Sequence, residues 1–209
     1  MTLSEILAEL GIEASAPQRE TLLRYLDLLA HWNETYNLTS VRDRESMLTH
    51  HLADCLAVVG PLQRTSCAAP RVLDVGSGGG LPGAVIATML PDWKVTCIDA
   101  VGKKAAFVRQ VAGELGLQNL LAVHGRVEAA RNARFEIVTA RAFASLADLV
   151  ALTRSLLAPQ GVWMAMKGRA PDAEIEALPA DVEVFHVERI AVPGLAAERC
   201  LVWMRLISS

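Results

Sequence analysis

The chain has 209 residues, with 20 Lys and Arg against 23 Asp and Glu for a net charge of −3, and 52% of its residues are hydrophobic. That length fits one large domain or one domain with an accessory segment, and the composition excludes an intrinsically disordered chain. No apolar run approaches the roughly 18 residues of a membrane-spanning helix, and the start MTLSEILAEL is acidic and amphipathic rather than signal-like, so a cytoplasmic protein is expected.

Up to residue 66 the pattern is helical. Ser15 suits an N-cap, with Pro17 in the first turn and Gln18 at the capping-box position. Leu22, Leu26 and Leu29 follow as an apolar stripe at helical spacing. A second helix is expected from Arg44–Ser46 to Val59, stopped by Gly60-Pro61. Gln63–Pro70 reads as a linker, dividing the chain into a helical extension, 1–66, and a second domain, 67–209.

From Arg71 short apolar runs alternate with helical patterns, as in a parallel sheet covered on both faces. Strands are predicted at Arg71–Val75, Lys94–Asp99, Leu120–His124, Phe135–Ala140, Gly161–Lys167, Val182–Ile190 and Cys200–Leu206. Helices are predicted at Gly83–Leu90, Gly102–Leu115, Leu146–Leu157 and, more weakly, Asp172–Ala177. Only a loop with Pro193-Gly194 separates the last two strands, so they should pair antiparallel. The expected architecture is α/β: five parallel strands closed by a hairpin.

The charge is unevenly spread. Residues 101–169 carry 10 bases and 4 acids, a surplus of six positive charges between two acidic ends. This is the footprint of a polyanion-binding face, or else a set of solvated helix surfaces. The cysteines Cys55, Cys67, Cys97 and Cys200 form no CxxC pair and stand at no metal-ligand spacing from a histidine, so no zinc site is expected. His50, His51 and Asp54 share a helical face, but without a further ligand cluster they suit packing or RNA contact better than a metal.

The most informative segment is Leu73-Asp74-Val75-Gly76-Ser77-Gly78-Gly79-Gly80-Leu81-Pro82-Gly83, which leaves the first strand and opens a helix where a doubly wound fold binds a nucleotide. Two registers fit. Gly78-x-Gly80-x-x-Gly83 matches the dinucleotide fingerprint. Asp74-x-Gly76-x-Gly78-x-Gly80 looks like the first motif of S-adenosylmethionine (SAM) methyltransferases, whose glycines pass close to the amino-acid part of the cofactor. The second is favoured, because Asp74 would repel a pyrophosphate but suits a cationic cofactor. Asp99, ending the second strand, can accept from two ribose hydroxyls under either reading.

A methyl acceptor at pyrimidine carbon-5 would need a cysteine nucleophile after a proline, which is missing. Exocyclic-amine methylation would call for an Asn/Asp-Pro-Pro-aromatic loop after the fourth strand, where the chain reads Thr139-Ala140-Arg141-Ala142-Phe143-Ala144-Ser145. Phe143 is a candidate for stacking on a base, and Arg141 for a phosphate, a base edge or the cofactor carboxylate. A purine N7 needs no general base, and none stands out. Trp32 and Tyr36, one turn apart, read as an RNA-stacking pair or as a core pair joining the helical extension to the sheet.

The chain resembles the RsmG (GidB) family of bacterial 16S rRNA guanine-N7 methyltransferases over roughly residues 20–205. The resemblance is carried by Trp32-Asn33, Tyr36-Asn37-Leu38-Thr39, His50-His51-Leu52 with Asp54, Leu81-Pro82-Gly83, Gly102-Lys103-Lys104, Arg126-Val127-Glu128, Arg141-Ala142-Phe143-Ala144-Ser145-Leu146, Lys167-Gly168 and Glu198-Arg199. It implies a seven-stranded class I SAM-dependent methyltransferase (Rossmann-like) fold with an N-terminal helical extension. The implied reaction is methylation of N7 of guanine 527 in the 530 loop of 16S rRNA, with S-adenosylhomocysteine as product. It further implies a cytoplasmic monomer acting on the small ribosomal subunit or a precursor.

By matching position, the implied cofactor contacts are Gly76, Leu81, Val127, Glu128 and Arg141, beside Asp74, Gly78, Gly80 and Asp99 from the loop reading. Lys103, Lys104, Arg126, Lys167, Arg169 and Arg199 become candidates for RNA contact, with Arg109 beside them. Departures are modest: Gly79 stands where Ala or Pro is common, and Cys200 where His often follows Glu-Arg. The rival readings are a methyltransferase acting on another RNA or a protein, an NAD-dependent oxidoreductase, and a non-catalytic SAM-sensing module that binds rRNA.

Overall fold

A computed structural model describes residues 1–65, 67–130, 133–143 and 145–207. Residue 66, at the predicted boundary, and Ala144, within the Arg141–Leu146 run, lie outside the described residues. Seven strands form one sheet: β1 (Arg71–Val75), β2 (Lys94–Asp99), β3 (Leu120–His124), β4 (Phe135–Arg141), β5 (Leu157–Lys167), β6 (Val182–Ile190) and β7 (Arg199–Leu206). Their order is β3-β2-β1-β4-β5-β7-β6. Strands β1 to β5 pair parallel, and β7 runs antiparallel to both β5 and β6. The closing hairpin is antiparallel, as the short connection requires.

Strand β5 starts at Leu157, four residues before its predicted start. Leu157 pairs with Phe135, and a register shift between Phe135 and Ile137 then takes up the extra residues of β5. The helix before it is correspondingly shorter: α8 (Leu146–Thr153) gives way to a 3₁₀ turn at Arg154–Leu156.

The N-terminal segment holds α1 (Leu3–Leu10) and α2 (Ala16–Tyr36). The Ser15 side chain accepts from Gln18 N and the Gln18 side chain returns to Ser15 N, so the capping box closes as the sequence predicts. The predicted continuous helix from Arg44 to Val59 is instead broken. It consists of α3 (Arg44–Met47), a π-helical stretch (Leu48–Ala53) and α4 (Asp54–Leu56), followed by α5 (Val59–Gln63). Gly60-Pro61 does not stop it: Pro61 lies in the first turn of α5, where no intrahelical partner awaits its missing N–H.

One core joins α1, α2 and residues 47–62 to α6 (Gly83–Met89), α7 (Gly102–Glu114) and one face of the sheet. Leu22, Leu26 and Leu29 are fully buried in it, each worth roughly 2 kcal/mol of removed apolar surface. Trp32 packs on Phe107 of α7, with ring centroids 5.4 Å apart, while the neighbouring Tyr36 stays exposed. Trp32 is therefore a joint between helices and not a free stacking surface. A second core lies under α8 on the other face.

Candidate active site

The chain runs from β1 outward to β3, then returns to place β4 on the other side of β1. Such a reversal opens a crevice at the carboxyl ends of β1 and β4, where doubly wound sheets take their ligands. The glycine-rich turn leaves β1 at that point. Its geometry requires glycine: Gly76, Gly78 and Gly80 have φ of +64°, +58° and +80°. Gly76 and Ser77 donate to the Ile98 carbonyl, at 2.9 and 3.3 Å, and Gly80 and Leu81 donate to that of Ser77. Gly76 is exposed and Gly78 half-buried, so the main chain is open to a ligand there.

Gly80 and Gly83 serve packing. A Cβ on Gly80 would lie 3.0 Å from Val108, and one on Gly83 would collide with Cys97 Sγ. Gly79 is backed by Leu29, and the Tyr25 hydroxyl of α2 donates to its carbonyl at 2.7 Å. Tyr25 stands between Leu22 and Leu29 at helical spacing but is not among the predicted stripe residues, and nothing in the sequence marks its hydroxyl contact. Leu81, implied as a cofactor contact, has its side chain in the core and its amide bonded to Ser77. It builds the turn from inside.

The two acidic residues are placed differently. Asp99, at the end of β2, accepts from Gly78 N at 2.9 Å through one carboxylate oxygen and from Val101 N at 2.8 Å through the other. Each oxygen keeps a lone pair for a ligand hydroxyl. Asp74 is fully buried below the turn, where Oδ2 accepts from Gly83 N at 2.8 Å and Oδ1 has no partner among the described residues. Burial pushes its pKa up to about 7, against the lowering effect of the Gly83 amide and Arg141. The sequence suggests Asp74 as a partner for a cationic cofactor; the structure gives it the start of α6 to hold.

Gly125 N donates to the Asp99 carbonyl at 3.0 Å, which brings the 3₁₀ turn Val127–Ala129 beside the end of β2. Within it Val127 is buried and Glu128 exposed. On the opposite side of the crevice, Phe143 lies against Gly76, 3.8 Å from where a Cβ would sit, and packs on the second core. The ring offered by the sequence for base stacking is thus half-buried over the turn.

Arg141, the last residue of β4, is the centre of a polar network that sequence separation had hidden. Its Nη1 faces Asp54 Oδ2 at 3.5 Å, the His50 carbonyl at 3.4 Å and His51 Nδ1 at 3.4 Å. His51 Nε2 is 2.7 Å from Thr39 Oγ1, and Thr39 N donates to Asn33 Oδ1 at 2.9 Å. Burial and the Arg141 charge push the His51 pKa down to about 4. The ring is therefore neutral, and its partners suit the tautomer that donates from Nε2 to Thr39. Arg199 joins through Asp54 Oδ1 at 2.8 Å. The sequence offered His50, His51 and Asp54 as packing, RNA contact or metal; Asp54 takes two arginines.

The other basic candidates divide by exposure. Lys167 is mostly buried and ion-paired with Glu174, and Lys103 Nζ donates to the Tyr36 carbonyl. Lys104 is half-buried, while Arg109, Arg126 and Arg169 are exposed; none of these four makes an ion pair among the described residues. Burial pushes the Cys55 and Cys97 thiols up, so neither is a thiolate at neutral pH. Among the described residues no helix is long and apolar enough to cross a membrane, and no cluster of three or more metal-ligating side chains forms.

The family model described as "rRNA small subunit methyltransferase G", GidB, matches residues 18–202. A protein of Leptothrix cholodnii named "Ribosomal RNA small subunit methyltransferase G" is 60% identical over 197 residues, covering 94% of this chain and 90% of its own length. One of Methylibium petroleiphilum with the same name is 56% identical, covering 93% of this chain and 89% of its own. Among solved structures, a Burkholderia thailandensis 1,6-didemethyltoxoflavin-N1-methyltransferase, with S-adenosylhomocysteine bound, superposes with a TM-score of 0.59. That match is 15% identical and covers 94% of this chain and 92% of that one, a likeness of fold alone.

Proposed function

The chain belongs to the GidB family, rRNA small subunit methyltransferase G, and from that membership we propose that it transfers a methyl group from SAM to N7 of one guanine in the 530 loop of 16S rRNA. The observation that carries the reading is the turn at the sheet's reversal point. Gly76, the exposed glycine, belongs to the methyltransferase register and not to the dinucleotide one. The residues fit the cofactor: Gly76 and Gly78 offer bare main chain, Asp99 free lone pairs for ribose hydroxyls, and Arg141 a cation for a carboxylate. Val127 and Glu128, which follow the Gly125–Asp99 hydrogen bond, would meet the adenine.

When bound, SAM supplies an electrophilic methyl group. The chain's own residues bind and orient, since an N7 lone pair needs no base to free it. A cytoplasmic monomer acting on the small subunit or its precursor, with Lys104, Arg126 and Arg169 toward RNA phosphates, completes the proposal.

The test uses the purified protein, labelled SAM, and small subunits from a strain lacking this enzyme. Borohydride and aniline treatment followed by primer extension should stop at a single guanine of the 530 loop. Label on another RNA or on ribosomal protein would refute the assignment, and tight NAD binding without SAM binding would refute the cofactor.

A further inference from the structure

We propose that Asp54 is the positioning residue of this site: a buried carboxylate that fixes Arg141 and Arg199 side by side at the carboxyl edge of the sheet, as a seat for one anionic group. The identity of the seated group rests on the methyl-transfer reading above. The geometry of the seat does not.

Asp54 is 3% exposed, and its two oxygens are divided between the two guanidiniums, Oδ1 with Arg199 Nε and Oδ2 with Arg141 Nη1. The arginines come from β4 and β7, strands that flank β5 without touching each other. A carboxylate from the N-terminal segment spans them. Two guanidiniums against one carboxylate leave a surplus positive charge, and both arginine side chains remain about a quarter exposed. An arriving anion completes the balance. Without Asp54 two like charges would face each other in a poorly solvated place and splay apart. The seat is braced from the same segment, because Arg141 also meets the His50 carbonyl and His51, and His51 is held by Thr39.

The anion is a carboxylate or a phosphate, from the cofactor or from the RNA backbone. Asp54→Asn keeps the volume and one acceptor but removes the charge. Its S-adenosylhomocysteine affinity is measured by calorimetry without RNA, and its KM and kcat on small subunits by methyl transfer. A loss of about tenfold or more in affinity without RNA assigns the seat to the cofactor carboxylate. Unchanged affinity with a comparable rise in the small-subunit KM assigns it to phosphate. Both quantities unchanged overturn the proposal.

Leu157→Ala, at the opposite edge of the sheet, is the control: it lowers Tm and leaves both quantities as in the parent. Should Asp54→Asn not fold, a cycle of Arg141→Gln and Arg199→Gln decides. The double variant should lose little more than the worse single one, and additive losses overturn the seat. A parent protein that binds S-adenosylhomocysteine but methylates no small subunit refutes the rRNA reading, while the affinity measurements still judge Asp54.

Discussion

The Tyr25 hydroxyl donates a 2.7 Å hydrogen bond to the Gly79 carbonyl, so the second helix holds the glycine-rich turn from beneath. Burial pushes the Tyr25 pKa well up, which keeps the hydroxyl protonated and able to donate. Tyr25→Phe leaves that carbonyl without its partner. The expected cost is about 1–2 kcal/mol in urea unfolding, with several-fold weaker S-adenosylhomocysteine binding by calorimetry. Parent-like affinity would show that the turn keeps its shape unaided.

Two glycines of the same loop should respond differently to alanine. Gly83→Ala drives a methyl group into Cys97 Sγ and to 2.9 Å from Asp74 Oδ2, with rigid neighbours on both sides. A loss of about 3 kcal/mol is expected, as for overpacking of a tight core, visible as a large drop in Tm. Gly78→Ala meets nothing within 4 Å among the described residues but sits at φ +58°, so it should cost only about 1 kcal/mol while crowding the main chain open to the ligand. Ligand affinity should fall more than stability.

Two buried titratable groups of the site, Asp74 and His51, pull stability in opposite directions with pH. Asp74, whose pKa rises on folding to about 7, holds a proton in the folded state that the unfolded chain has released above pH 4, so its contribution falls as pH rises from about 4 to 7. His51, lowered to about 4, must gain a proton on unfolding below its ordinary value, so its contribution grows as pH rises from about 4 to 6.5. Asp74→Asn removes the falling contribution. Its unfolding free energy should climb more steeply than that of the parent between pH 4.5 and 6.5, by up to about 1.4 kcal/mol per unit. Parallel pH profiles for variant and parent would refute the Asp74 assignment.

Among the basic residues, salt dependence separates RNA binding from structural support. Replacing Arg126 and Arg169 with Ala should flatten the plot of log KM for small subunits against log salt by roughly 0.7 for each phosphate that the variant no longer neutralises. Lys167→Ala, by contrast, strips Glu174 of its ion-pair partner and leaves it only the Leu146 amide among the described residues. It should lower Tm and leave the slope alone.

Much of the sheet was legible because the inner strands hold short apolar runs between turn residues, and Arg71–Val75 and Lys94–Asp99 begin and end where that pattern does. The early start of β5 was not, since Pro159-Gln160 reads as a breaker and the register shift opposite Phe135 that accommodates it exists only in the paired sheet. The π-helical stretch at Leu48–Ala53 was equally hidden, because the apolar spacing there fits an α-helix. In the site, Gly76 and Asp99 stand close in sequence to the strand ends that define them. Asn33, Thr39, His51, Arg141 and Arg199 could each be singled out, but their joining into one network depends on chain segments up to 145 residues apart, the span from Asp54 to Arg199.

The shared core beneath the turn has a thermodynamic consequence. Since α2 both covers the sheet and grips Gly79, ligand occupancy and helix docking draw on one free energy. Amide protons of Leu22–Leu29 should therefore exchange with deuterium more slowly once the crevice is filled, so a segment with no ligand contact of its own would report on binding.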